Sequence, residues 1–237
     1  MSQVRICIRQ LNDPKDSTRD KGFKRLCRIK SMEKLATSDK KLLCEGVFRF
    51  LWLSDQKNYS SYLGTLSHFL VVSSLESASP EESLIFIFIV TIMKNWSNID
   101  KYRLNKFYHL VDEMVKVCFD SERTAELLIT CLNQSIFSIE EFKNDSVGLR
   151  IHFARSLLSH SKKFNSFLLT DISLIRFITI LPSNEVAVES CEHVRALMAN
   201  TSNVKYSSEI SSAVKNALNQ PGISSKSRSL LSSILMS

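Results

Sequence analysis

The chain has 237 residues, 44% of them apolar and 23% charged, enough to bury a core in one or two domains, which excludes disorder, collagen and a disulfide scaffold. Five glycines and four prolines are too few for the turns of a many-stranded β protein or for a Gly-rich phosphate cradle, so helices are favoured. The formal charge is +7 and sits at the front, because residues 1–57 hold 14 basic and 7 acidic side chains and the remainder is neutral. That asymmetry suits a partner carrying negative charge: nucleic acid phosphate, an anionic membrane surface or an acidic protein.

Apolar residues at spacings of three and four predict helices near 2–12, 18–34, 39–54, 57–75, 80–97, 100–119, 122–134, 147–160, 164–179, 184–199, 207–218 and 223–235. Within the second of these, Lys21, Lys24, Arg25 and Arg28 fall at i, i+3, i+4 and i+7, a single ridge, while Phe23, Leu26 and Cys27 face the other way. Four cations on about 10 Å of helix axis can meet consecutive phosphates through counterion release, without base specificity. A solvated face with no partner is the competing reading. Further on, Ser79-Pro80-Glu81-Glu82 predicts a capping box, with Ser79 as N-cap and Pro80 in the first helical position. This makes the branched run Leu84 to Val90 a buried helix rather than a strand. That run, extended to Met93, is about half the length a bilayer requires, and no lipidation motif is visible, so a soluble protein with no membrane partner is expected. From 100, Leu104, Phe107, Tyr108, Val111, Met114, Val115 and Cys118 form an apolar stripe, with Lys101, Asn105, Lys106, His109, Glu113 and Lys116 predicted to face outward.

A dozen helices with short connections predict an all-α fold of stacked antiparallel pairs, a HEAT- or armadillo-like α-solenoid forming a single domain over 1–237, with about 200–237 as a C-terminal cap. No heptads run through the chain, and a monomer is the expected state. The six cysteines, at 7, 27, 44, 118, 131 and 191, include no CxxC, and no secretory signal opens the sequence. A reducing compartment, cytosol or nucleus, is expected.

No motif advertises catalysis: HExxH, GxGxxG, P-loop and GxSxG are all missing from the sequence. The histidines lack the one-turn pair that chelates zinc, and Glu189 with His193 reads as ordinary pairing one helical turn apart. No catalytic residue, metal or cofactor is expected. Trp52, Trp96, Phe107 and Tyr108 are read as core rather than as a platform for RNA bases.

Three stretches, in order and at matching spacing, carry a resemblance. Thr18-Arg19-Asp20-Lys21 with Arg25-Leu26 is similar to the "TRDKA..KLRK" segment of the ribosomal RNA processing protein 1 family. Val47 to Lys57, which includes Trp52 and Asp55, is similar to that family's "LFYCMWMSDKP". Trp96 to Tyr108 resembles "W.GIDRLRLDKFY" almost position by position, and Val147 to Phe153 is a weaker match to "GVKSHFI". Gly22 stands where the family has a helix former, Lys101 replaces Arg and Asn105 replaces Asp.

The resemblance implies a non-enzymatic nucleolar factor of the nucleus, working as a scaffold in assembly of the large ribosomal subunit precursor and in maturation of spacer RNA. Its implied partners are pre-ribosomal RNA and other assembly factors. Trp52, Asp55, Trp96, Asp100, Arg103, Lys106, Phe107 and Tyr108 are then family positions of mainly structural role, and Lys21, Lys24, Arg25 and Arg28 are candidates to bind RNA or an acidic partner. The alternative reading is a basic α-solenoid adaptor for anionic membrane or acidic proteins.

Overall fold

The computed structural model describes residues 3–29, 32, 35–54, 56–138, 146–161 and 168–236. Among these residues the chain forms twelve α-helices and no strand: α1 (Gln3–Leu11), α2 (Asp16–Leu26), α3 (Thr37–Leu53), α4 (Gln56–Ser74), α5 (Leu84–Asn95), α6 (Leu104–Cys118), α7 (Glu122–Gln134), α8 (Val147–Ser161), α9 (Leu168–Ile180), α10 (Glu185–Asn200), α11 (Val204–Leu218) and α12 (Ser225–Leu235). They divide into two compact units, Met1–Cys131 and Leu132–Ser237.

In the first unit α1 packs on α3 and α3 on α5, α4 packs on α6, and α1–α2 and α4–α5 join the two rows. Contacts between helices two apart in sequence are the mark of stacked antiparallel pairs. The second unit repeats the arrangement, with α8 on α10, α9 on α11 and α10 on α12. Each row buries apolar side chains: Leu43, Val47, Phe50 and Leu51 of α3, Leu84, Ile85, Phe88 and Ile92 of α5, and Phe107, Val111, Met114, Val115 and Cys118 of the predicted α6 stripe are buried, while Leu104 and Tyr108 of that stripe are half-buried. Gly22 sits where α2 crosses α1, and a Cβ there would lie 2.7 Å from Gln10 Cβ and 3.1 Å from the Leu11 backbone nitrogen. The glycine in place of a helix former thus permits the close approach of the two helices.

Several boundaries differ from those that spacing predicts. Helix α2 stops at Leu26 rather than near 34, because its last turn tightens into i→i+3 bonds, Arg28 N to Arg25 O at 3.2 Å and Ile29 N to Leu26 O at 3.0 Å. The Ser79 hydroxyl caps nothing; Pro80–Glu82 is one 3₁₀ turn, and Ser83 instead accepts from Phe86 N at 3.1 Å to start α5. Helix α6 begins four residues later than expected because the Asp100 carboxylate takes the backbone N–H groups of Tyr102 and Arg103, at 3.0 and 3.2 Å, in an Asx turn. In the second unit, Asn184, Asn203 and Ser224 cap α10, α11 and α12. Gly222, at φ 76°, supplies the left-handed residue that turns the chain from α11 into α12.

Candidate functional site

Two features of the first unit gather the sequence-predicted residues. The first is the ridge on α2. Lys21, Lys24 and Arg25 are exposed along the helix, with Phe23 and Leu26 buried behind them. Arg28 is exposed too, in the turn beyond Leu26 rather than on the helix where spacing alone would put it. Arg25 donates from Nη1 to Gln10 Oε1 at 3.2 Å, so one cation of the ridge also links α2 to α1. Lys24 and Arg25 fall in the last turn, where positive charge complements the helix dipole.

The second feature is the C-terminal end of α3, where the three family-like stretches meet. The last turn of any helix leaves carbonyl groups without an intrahelical donor, and here cations from two other helices supply the donors. Lys106 Nζ donates to Leu51 O at 3.0 Å, Ser54 O at 2.5 Å and Trp52 O at 3.4 Å. Arg103 Nε donates to Trp52 O at 3.1 Å, and its guanidinium carbon stands 5.2 Å from the centroid of the Trp52 ring. From the opposite side Arg19 reaches Leu53 O at 3.2 Å and also donates to the carbonyls of Asp13 and Pro14. Two of these cations carry a carboxylate partner three residues earlier, Asp16 for Arg19 and Asp100 for Arg103. At Asp100, desolvation works against ionisation. The Arg103 guanidinium and the two backbone N–H bonds outweigh it and hold the carboxyl below the usual range.

Lys106 is only 5% exposed, so the outward assignment from periodicity is corrected: a lysine leaves the polar face when main-chain acceptors are gathered to receive its ammonium. Arg19 is buried as well. Sequence reasoning passes over its role, although a signal exists, since Arg19 shares the inward face of α2 with Gly22, Phe23 and Leu26. Phe107 and Trp96 are buried, with Phe107 5.0 Å from Phe48 and Trp96 5.5 Å from Tyr108 between ring centroids. Trp52 is half-buried under Arg103 rather than fully in the core. Asp55 lies outside the described residues. Asp20, of the first stretch, accepts from Tyr62 Oη at 2.8 Å, and burial, then this bond, push the Tyr62 phenol up to about 12.

The second unit holds a polar cluster that periodicity does not reveal. Asp171 of α9 is fully buried and accepts from Tyr206 Oη of α11 at 2.9 Å, while His193 Nε2 of α10 stands 3.5 Å away. The arrangement ties three helices together. An open cleft of about 640 Å³ between α9 and α11 is lined by Ile175, Arg176, Glu209 and Asn216 among others. Among the described residues no group of three or more His, Cys, Asp or Glu side chains is placed to hold a metal ion, and no helix is long and apolar enough to cross a membrane.

Comparison with known proteins gives a consistent answer. The sequence pattern of the family described as nucleolar protein, Nop52, matches residues 2–229. A ribosomal RNA processing protein 1 homolog of Dictyostelium discoideum is 26% identical, over 78% of this chain and 43% of its own length. The homolog of Caenorhabditis elegans is 30% identical over 49% of this chain and 30% of its own, and homolog A of Homo sapiens is 25% identical over 56% and 30%. The chain therefore spans less than half the length of each of these relatives. With the family pattern running almost from end to end, the chain belongs to the Nop52 family of nucleolar proteins, and its compartment is the nucleolus.

Proposed function

We propose that the chain works in ribosome biogenesis and ribosomal RNA processing as a non-enzymatic scaffold, joining the precursor of the large ribosomal subunit as a single copy and contacting RNA through the α2 ridge. Four exposed cations, Lys21, Lys24, Arg25 and Arg28, gathered where the chain keeps its whole charge excess, carry this reading. The names of its relatives supply the process. The arrangement is suited to binding rather than bond-breaking: Arg19, Arg103 and Lys106 are committed to main-chain carbonyls, and Asp171 is held among three helices.

The test reverses Lys24, Arg25 and Arg28 to Glu. The fold should survive, because the burial of Phe23 and Leu26 holds α2 in place. RNA affinity should fall alike for every sequence, and the slope of log affinity against log salt should flatten by about one unit for each phosphate that the ridge no longer neutralises. Unchanged affinity together with unchanged co-sedimentation with large-subunit precursors would make the ridge a solvated face. Unchanged RNA affinity without co-sedimentation would make its partner an acidic protein, and an effect confined to anionic liposomes would favour the membrane adaptor.

A further inference from the structure

Every described aromatic side chain but one is buried or half-buried. The exception is Tyr102, 73% exposed, in the turn between α5 and α6. An exposed aromatic ring gains nothing from the hydrophobic core, and this one is held where charge surrounds it. Lys101 places its ammonium 5.1 Å from the Tyr102 ring centroid, and among the described residues no carboxylate pairs with Lys101. The next residue, Arg103, lies over half-buried Trp52, beside exposed Leu53. Asp100, the acid within the turn, is already paired with Arg103. The surface that remains is an aromatic face bordered by cations, with the polar side chains of Ser97, Asn98 and Asn105 exposed on the neighbouring turns.

We infer that the 97–105 turn binds single-stranded RNA, with one base stacked on Tyr102 and the adjoining phosphate met by Lys101. The inference rests on the proposed reading of the chain as an RNA-contacting assembly factor and adds a site distinct from the α2 ridge. Stacking on an aromatic ring next to a cation is how sequence-tolerant contacts to unpaired RNA are made. A duplex keeps its bases stacked on one another and has no use for the ring. Charge favours nucleic acid over an acidic peptide only in part, since both are anions; the exposed ring decides, because a planar base can cover the face that Lys101 does not occupy whereas a carboxylate gains nothing there. The turn is also pinned. Ile99 is buried behind it, and Asp100 fixes the backbone at Tyr102 and Arg103, so the ring is presented with little further ordering to lose on binding.

The test uses the full chain with a single-stranded uridylate dodecamer and with an RNA duplex of mixed sequence, followed by fluorescence anisotropy across a salt series. Tyr102→Ala should weaken single-strand binding by about fivefold or more, the lower end of what removing one stacked base costs. The salt slope and duplex affinity should stay unchanged, because no charge is removed. Tyr102→Phe should keep single-strand affinity within about twofold of the parent, and both variants should melt with the parent, since the ring is exposed. Single-strand affinity equal to the parent in Tyr102→Ala overturns the inference while leaving the ridge untouched. An equal fall for duplex and single strand overturns it as well, and so does a Tyr102→Ala protein that fails only to co-sediment with precursor particles, which would assign the turn to a protein partner. If instead the ridge reversal leaves RNA affinity intact and Tyr102→Ala lowers it, the ridge reading fails and the turn remains as the RNA-binding site.

Discussion

Lys106→Met offers the sharpest test of the hub at the end of α3. Methionine keeps the length and most of the apolar bulk of lysine, so the change removes the ammonium and little else. Of its three carbonyl acceptors among the described residues, Leu51 O keeps a bond from Ser54 N at 3.3 Å and Trp52 O keeps Arg103 Nε at 3.1 Å, but Ser54 O has no other donor among the described residues. An orphaned carbonyl costs about 1–3 kcal/mol, and removal of a positive charge from a helix C-terminus adds up to about 1 kcal/mol. The expected loss is about 3 kcal/mol, which in a chain of this size lowers the melting temperature by about 6–12 °C. Both tryptophans, Trp52 and Trp96, belong to the Met1–Cys131 unit, so their fluorescence reports on the surroundings of the hub. Thermal and urea unfolding read by tryptophan emission should show the loss, together with a shift of the native spectrum as the Trp52 backbone loses the Lys106 ammonium from its carbonyl. A variant melting within about 2 °C of the parent, with an unaltered native spectrum, would refute the claim that Lys106 closes α3.

Gly22→Ala should destabilise the chain although alanine is the better helix former by about 1 kcal/mol. The added Cβ meets Gln10 Cβ at 2.7 Å and the α1 backbone at 3.1 Å, and forcing packed elements apart costs about 1–3 kcal/mol; a urea midpoint higher than the parent's would mean that α1 and α2 do not approach so closely. Asp100→Asn should lower stability at neutral pH, and the gap to the parent should close on acidification. The folded-state pKa of Asp100 lies below its unfolded value, so its contribution is complete above the unfolded value and disappears as the pH falls through the folded one; a gap that stays constant into strong acid would show that ionisation of Asp100 does not matter.

The helices are legible in the sequence because periodicity reports which side of a helix is wet, and that is a local property. Leu84 to Val90 is the instructive case: its residue types suit a strand, but a neighbouring capping signal tips it to helix, even though the serine that caps is Ser83 and not Ser79. Lys106 is illegible for the opposite reason. Its acceptors lie 52 to 55 residues away, and no local pattern says that a lysine has three carbonyls waiting for it. The end of α2 is hidden as well. The apolar residues beyond Leu26 continue the helical spacing, yet its backbone closes by i→i+3 bonds, a choice that spacing does not encode.

The hub and the proposed RNA-binding turn are parts of one device. Arg103 bonds the end of α3, pairs with Asp100 and covers Trp52, so the residue immediately before it, Tyr102, is carried on a backbone fixed from two sides. The resemblance stretches converge on this spot for a physical reason: an arginine from α2, the last carbonyls of α3, and an arginine and a lysine from the start of α6 form one closed set of donors and acceptors. Such a set commits positive charge to main-chain carbonyls and ties α2, α3 and α6 together. What it leaves outward, at Tyr102 and Lys101, differs in kind from the proposed α2 ridge, where exposed cations could meet phosphates but offer no ring to a base. If both proposed sites bind RNA, the chain would hold it by its backbone at one place and sense, at another, whether it is unpaired.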